Sequence, residues 1–198
     1  MSRLLRGSEV RRADHLIDKL FTDRWSPRAM TGEAINRQEL MVLFEAARWA
    51  PSSYNEQPWR ILYACRDTEQ WPLFFDLLVE GNQKWARDAA ALVLFISKKT
   101  STRTGKPAKT HSFDTGAAWE NLALQGVLKG YVVHGMQGFN YERARIALNI
   151  PDDFQVEAMI AVGKPQDRNQ MSDETRERET PNSRRSLDEI VCEGGFCF

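Results

Sequence analysis

Apolar positions along this chain follow two periods. Across residues 8–21 they fall at Leu16, Ile17, Leu20 and Phe21, one side of a helix. In "NRQELMVLFEAARWA", Leu40, Leu43, Phe44 and Ala47 fall at i, i+3, i+4 and i+7. This second pattern carries its own end signals: Asn36 is placed as an N-cap with Glu39 three positions on, and Pro51 disfavours helix at Ala50. "RILYACR" then reads as a strand. From Thr68 onward the pattern predicts a helix with Pro72 in its first turn and Gly81 beyond its end. "ALVLFIS" is a continuous apolar run, as expected of a strand covered on both faces. "SFDTGAAWENLALQGVLKG" gives the longest predicted helix, in which Gly116, Ala117, Ala118, Ala123 and Gly126 admit close packing and Gly130 caps the end. "YVVHGM" and "VEAMIAVGKP" are strands on either side of the helix "NYERARIALNI". Helices alternating with few strands predict one layered domain, a sheet between helices. Residues 165–185 have few apolar side chains and many charges, so the tail is expected outside the core.

Composition narrows the function less than the fold. A chain of 198 residues suits one sizeable domain. Its 27 basic and 27 acidic residues cancel, so no overall basic field argues for nucleic acid. No apolar run approaches membrane-spanning length, and the N-terminal segment carries Arg and Asp throughout, which predicts a protein of the cytoplasm without a membrane partner. Cys65, Cys192 and Cys197 are odd in number and form no CxxC, so the count implies neither a disulfide framework nor a zinc site.

Side-chain chemistry offers no familiar catalytic set. "TGKPAKT" lacks the upstream glycine of a P-loop, and there is no GxGxxG, GxSxG or HExxH. His15, His111 and His134 are scattered, and His134, between Val133 and Gly135, reads as a hydrogen-bonded strand residue. Trp49, Trp59, Trp85 and Trp119 lie in apolar contexts that suit core or interface packing rather than base stacking. No metal site and no catalytic side chain are expected; a bound organic cofactor is the natural carrier of any chemistry.

Two constellations remain. In "DRWSPR", an extended backbone puts Arg24, Ser26 and Arg28 on one side, two guanidinium groups and a hydroxyl. In "PSSYNEQPW", Ser52, Ser53 and Asn55 offer short hydroxyl and amide groups suited to a flat heterocycle or a ribityl chain. With "GNQKWARDAAALVLF", "DTGAAWENLALQGVLKG", "GMQGF" and "SRRSLDEIV", these segments resemble the nitroreductase family, in the family's order and across nearly the whole chain.

The resemblance implies an α+β fold, a nitroreductase-like α-β-α layered arrangement with a mostly antiparallel sheet flanked by helices, and a homodimer. It implies a single FMN-binding domain over residues 1–198, with 165–198 a tail packing on the partner subunit. It further implies that Arg24, Ser26 and Arg185 hold the FMN phosphate, with Arg184 competing for the tail arginine's role, that Trp25 belongs to the cofactor-binding segment, and that Arg28 approaches the pyrimidine end of the flavin. Asn82 matches a residue bonded to the flavin ring, Met136, Gln137 and Gly138 match a turn over it, and Pro51, Ser52, Ser53 and Asn55 match a loop that reaches the partner's FMN. The implied activity is hydride transfer from NADH or NADPH through the flavin to a nitroaromatic, quinone or similar electron-poor acceptor. The alternatives are other flavin reactions on the same fold, such as enone reduction, dehalogenation or azoline oxidation, and a flavin-binding or redox-sensing protein without turnover. Lys84 stands one helical step away from the lysine some relatives carry near Trp85, and Gln137 stands where a glutamate is often found.

Overall fold

The computed structural model describes residues 5–198. Its frame is a four-stranded antiparallel sheet in the order β1-β2-β4-β3, built from β1 (Trp59–Cys65), β2 (Ala91–Lys98), β3 (Val132–Met136) and β4 (Phe154–Gly163). The central strand β2 explains the two-sided cover. Leu92, Leu94 and Ile96 enter one apolar core while Ala91, Val93 and Phe95 enter the other, all at 4% exposure or less. A strand with helices on both faces buries successive residues alternately into two cores, so Ala91–Ile96 is apolar throughout, which is the run the sequence shows.

One face is covered by α2 (Arg37–Arg48) and α5 (His111–Leu128), through Leu40, Leu43, Ala47, Ala118, Leu122 and Ala123. The other is covered by α3 (Trp71–Phe75), α4 (Glu80–Ala86) and α6 (Tyr141–Ala147), through Phe74, Ala86 and Ala144. Local signals act where the sequence put them. Asn36 Oδ1 accepts from the Glu39 N–H at 2.8 Å and Glu39 reaches back to the Asn36 N–H, closing the capping box of α2. Pro72 lies in the first turn of α3, and Gly130 takes the left-handed conformation (φ 75°) after α5. Gly126 faces β3, where an added Cβ would overlap the Val133 side chain.

Four expectations are corrected. The helix over residues 8–21 is absent: the segment contains a short 3-10 turn, Gly7–Glu9, while α1 is only Lys19–Asp23. Leu16, Ile17 and Phe21 are 104%, 48% and 57% exposed, so the apolar side of that segment has no surface in its own protomer to pack on, and short helices depend on such packing. The predicted helix from Thr68 is broken into α3 and α4. Between them Leu78 bridges Phe139, the Val79 N–H donates to Gly138 O at 3.0 Å and Leu77 O accepts from Asn140 N–H at 2.8 Å. Tertiary pairing thus replaces the helical bonds, and Gly81 lies inside α4. The tail is not wholly outside the core, because Met171, Glu179 and Pro181 are buried. Finally, Cys192 and Cys197 form a disulfide that the odd cysteine count gave no reason to expect, with Cα atoms 6.2 Å apart; Cys65 stays a thiol, its pKa raised by burial.

Candidate functional site

The arginine segment leaves α1 in an extended conformation (Arg24 φ −67°, ψ 118°), and Arg24 Nη1 donates to Ser26 Oγ at 3.1 Å. Arg24 and Ser26 therefore share a side. Trp25 turns the other way; it is buried and its indole N–H donates to Leu5 O at 2.8 Å, so its side chain seats the segment instead of facing a ligand. Arg11 crosses behind, donating to Thr22 O (3.2 Å), Arg24 O (2.7 Å) and Asn182 O (2.8 Å). One guanidinium thus ties the N-terminal arm, the arginine segment and the tail.

Arg11, Arg24 and Arg184 are close enough to act on one another. Burial lowers the pKa of Arg11 and of Arg24, and the charge of Arg184 lowers both further. Glu120 on α5 opposes this at Arg24, 3.6 Å away, yet burial pushes Glu120's own pKa up. Arg24 and Arg184 act on one partly desolvated carboxylate, and Arg11 acts on both arginines, which leaves an excess of positive charge, the chemistry required to hold a phosphate dianion. Of the two tail arginines, Arg184 is the one whose charge is felt at Arg24. Both Arg184 and Arg185 border a cavity of about 890 Å³ between the N-terminal arm and the tail, with Ile17, Phe21, Leu187 and Ile190 on its apolar side.

Four residues further along the segment, the Arg28 N–H donates to both carboxylate oxygens of Glu179 (3.0 and 2.9 Å), and Glu179 is 6% exposed. Pro27 O lies 2.9 Å from Nδ1 of His134 on β3, which fixes the proton on that nitrogen. The His134 ring sits 4.6 Å from the Trp85 ring, and the Arg28 guanidinium lies 6.0 Å from the Trp85 centroid. Burial lowers the His134 pKa, the charges of Arg28 and Arg24 lower it further, and its hydrogen bonds to the Pro27 and Ser26 backbone oppose the shift.

At the end of β3 the chain turns through Met136, Gln137 and Gly138. Met136 is buried and Gln137 exposed. Asn82 braces the turn, donating from Nδ2 to Gly138 O at 3.0 Å and accepting from the Trp85 indole at 3.3 Å, which leaves one amide N–H for another acceptor. A Cβ at Gly138 would lie 2.6 Å from Asn82 Nδ2, so only glycine allows this approach.

The loop Pro51–Pro58 lies elsewhere. Tyr54, Asn55 and Gln57 hold φ of 51°, 56° and 48°, left-handed values that cost non-glycine residues energy and persist where surroundings enforce them. The enforcing bonds run from Gln57 N–H to Ser52 Oγ (3.0 Å) and from Ser53 N–H to the buried Asp114 Oδ2 (3.1 Å). Pro51 and Asn55 are exposed, and so are the nearby Trp49, Tyr54 and Phe113, at 72%, 80% and 81%. This loop feeds β1, at one edge of the sheet, whereas the Met136–Gly138 turn leaves β3, at the other. Three strand spacings, about 14 Å, separate these edges.

The structure therefore brings Arg24, Ser26 and Arg184 together, sets Arg28, Asn82 and the Met136–Gly138 turn beside His134 and Trp85, and keeps Pro51, Ser52, Ser53 and Asn55 apart. Sequence reading missed Arg11, Glu179 and Trp85 as members of this arrangement; they act across up to 171 positions, and no local pattern marks them. Ser97, His111 and Glu157 also meet, with Ser97 Oγ 2.7 Å from His111 Nδ1 and donating to Glu157. Ser97 is fully buried and its proton goes to the carboxylate, so this group is a packed polar network and not a nucleophile.

Comparison with known proteins decides the family. Residues 21–76 and 66–164 match the sequence profile of the nitroreductase family. The chain belongs to that family. Its fold superposes with a TM-score of 0.88 on an oxidoreductase containing FMN, 47% identical, with 94% of this chain and 96% of that one covered. A Desulfovibrio desulfuricans protein, provisionally named a nitroreductase and solved in complex with FMN, shares the fold at 23% identity and a TM-score of 0.71, covering 90% of this chain and 96% of its own. An Archaeoglobus fulgidus protein provisionally named NADH dehydrogenase/NAD(P)H nitroreductase is 28% identical over 153 residues, 75% of this chain and 85% of its own. In this nitroreductase-family chain the sheet is antiparallel throughout, and among the described residues no helix is long and apolar enough to cross a membrane.

Proposed function

We propose that this nitroreductase-family chain is an FMN-dependent oxidoreductase that takes reducing equivalents from NADH or NADPH and delivers them to a flat, electron-poor acceptor such as a nitroaromatic or a quinone. The excess positive charge of Arg11, Arg24 and Arg184 supports it, because a flavin mononucleotide brings a phosphate dianion. The FMN-containing relative at 47% identity supports the cofactor.

FMN, when bound, supplies the two-electron chemistry, accepting hydride from the nicotinamide and passing it to the acceptor in a second half-reaction. The chain's own residues bind and orient. Arg24, Ser26 and Arg184 hold the phosphate. Arg28, fixed by Glu179 through its backbone, presents a cation to the pyrimidine end, where charge on the reduced ring is stabilised. Asn82 and the Met136–Gly138 turn would hold the ring, and Asn82 reaches the turn because position 138 has no Cβ.

The observation that carries the assembly is the separation of the two sheet edges. A loop about 14 Å across the sheet from the turn it must complement serves a second copy's cofactor better than its own. The apolar Trp49, Tyr54 and Phe113 around it supply the surface for a homodimer, and the 165–198 tail, with its exposed Ile190, Val191 and Phe196, is proposed to pack on the partner.

Steady-state kinetics of FMN-loaded protein with NADH or NADPH and a series of nitroaromatics and quinones test the proposal. Parallel double-reciprocal lines are expected, since donor and acceptor use one cleft in turn. No turnover with any acceptor would reject it.

A further inference from the structure

The connection Pro51–Pro58 and the loop from Lys98 to Thr110 enclose a second cavity of about 300 Å³ that the flavin reading leaves unused. Five cations border it: Arg60, Lys98, Arg103, Lys106 and Lys109. Two carboxylates reach it, and both are already engaged. Glu56 accepts from the Ser101 hydroxyl and from the Thr102 hydroxyl and N–H, donors that hold its carboxyl down at about 2. Asp114 accepts from the Ser53 N–H and the Thr110 hydroxyl. Lys98, Lys106 and Lys109 form no ion pair among the described residues. The concavity is therefore net positive, a setting that concentrates anions.

The cations stand on a closed scaffold. The Ser101 N–H donates to Lys106 O (2.8 Å), the Gly105 N–H to Ser101 O (2.9 Å), and Thr100 bridges Pro107, so the loop is folded on itself before any ligand arrives. Glu56 then clamps that turn to the Pro51–Pro58 connection. The backbone that carries these cations therefore needs no further ordering when an anion binds.

We propose that this cavity receives a phosphate group of the nicotinamide dinucleotide. The inference rests on the reading of the Pro51–Pro58 loop as one half of a composite flavin site. Ser53, Tyr54 and Gln57 of that loop form one wall of the cavity, and Arg103 lies 4.3 Å above the Tyr54 ring. A dinucleotide stacking its nicotinamide on the flavin beside this loop extends its phosphates toward the nearest cationic concavity. The cavity admits a phosphate but not a whole dinucleotide, so it recognises the charged portion alone. Two phosphates share this chemistry, the pyrophosphate common to NADH and NADPH and the 2′-phosphate of NADPH.

Calorimetric titration of the FMN-loaded full chain with ADP and with 2′,5′-ADP, in the wild type and in Lys106→Gln/Lys109→Gln, tests the site. Loss of at least about tenfold in affinity is expected in the double variant, with the dinucleotide KM raised to match and kcat kept. Weakening of ADP, and of NADH and NADPH alike, assigns the pyrophosphate, which 2′,5′-ADP lacks; weakening of 2′,5′-ADP and NADPH with ADP and NADH unchanged assigns the 2′-phosphate. Lys129→Gln, at the far end of α5, is expected to change neither. A wild type that binds neither ligand, or a double variant that binds both as the wild type does while flavin content and turnover are intact, overturns the inference. A chain that holds no flavin and oxidises no dinucleotide fails earlier, in its absorbance and turnover, and counts against the oxidoreductase reading itself.

Discussion

The backbone N–H of Arg28 donates to both oxygens of the buried Glu179 carboxylate, two groups 151 positions apart. The start of the tail pairs beside it, with Met30 bridging Pro165 and the Gln166 N–H donating to Ala29 O at 3.1 Å. Arg168 extends the clamp, donating from Nη1 to Glu179 O at 2.7 Å. Glu179→Ala removes the charged acceptor of the Arg28 N–H and is expected to cost about 1–3 kcal/mol of stability. Thermal or urea unfolding measures it. Because Arg184 follows on the same tail, flavin release is expected to quicken as well.

The arginine cluster sorts the tail residues. Arg24→Ala is expected to weaken FMN binding by about 1.5–3 kcal/mol through loss of a charge-assisted contact. Arg184→Ala is expected to act in the same direction, whereas Arg185→Ala changes little. Fluorescence titration of the apoprotein with FMN ranks the three. Equal affinity in Arg24→Ala and the wild type would remove the cluster from the phosphate site.

His134 links stability to pH. Its folded pKa lies below the ordinary 6.5, chiefly because it is buried, and Arg28 and Arg24 face it from the neighbouring segment. As pH falls through about 6.5 the unfolded chain takes up a proton that the folded chain does not, so the unfolded state binds more protons. Its contribution to stability is therefore full above that pH and declines as the medium is acidified. His134→Asn, whose amide retains a donor for Pro27 O, is expected to flatten this acid limb of a Tm-against-pH curve.

Asp114 holds the Pro51–Pro58 loop in its left-handed turn through the Ser53 N–H. Asp114→Ala is expected to destabilise the fold by about 1–3 kcal/mol and to let Tyr54 and Gln57 relax from positive φ. If the loop completes the partner's site, flavin retention falls more than the stability loss predicts, and size-exclusion chromatography shows a weaker dimer. Hydrogen exchange over residues 51–58 reports the relaxation directly.

At Gly138 a methyl group meets the Asn82 amide and the Val79 side chain. Gly138→Ala is expected to push Asn82 off the turn, with a change in the visible spectrum of the bound flavin and a modest loss of stability, about 1–3 kcal/mol as for other overpacked sites. An unchanged spectrum would separate the turn from the ring.

Periodicity and end signals made most of the frame legible. The apolar run of β2 required two-sided cover, Asn36 and Glu39 closed the start of α2, Pro51 ended it, and Gly130 capped α5; each acts within a few residues of itself, which is why a sequence can show it. The motif order placed the chain in its family, and the extended alternation of Arg24 and Ser26 was visible for the same local reason. Where a segment's fate depends on a distant surface, the sequence misleads. Residues 8–21 have a helical stripe with nothing to rest on, and the helix from Thr68 yields to pairing with the 138–140 turn because those bonds satisfy the backbone as well and bring Asn82 and Trp85 to β3. Tertiary structure alone decided that Arg184 is the tail arginine near Arg24, that Glu179 is buried against Arg28, and that the serine-asparagine loop and the glycine turn lie at opposite edges of one sheet. Each is a spatial relationship between residues far apart in the chain, set by strand order and charge burial, quantities that no local pattern encodes.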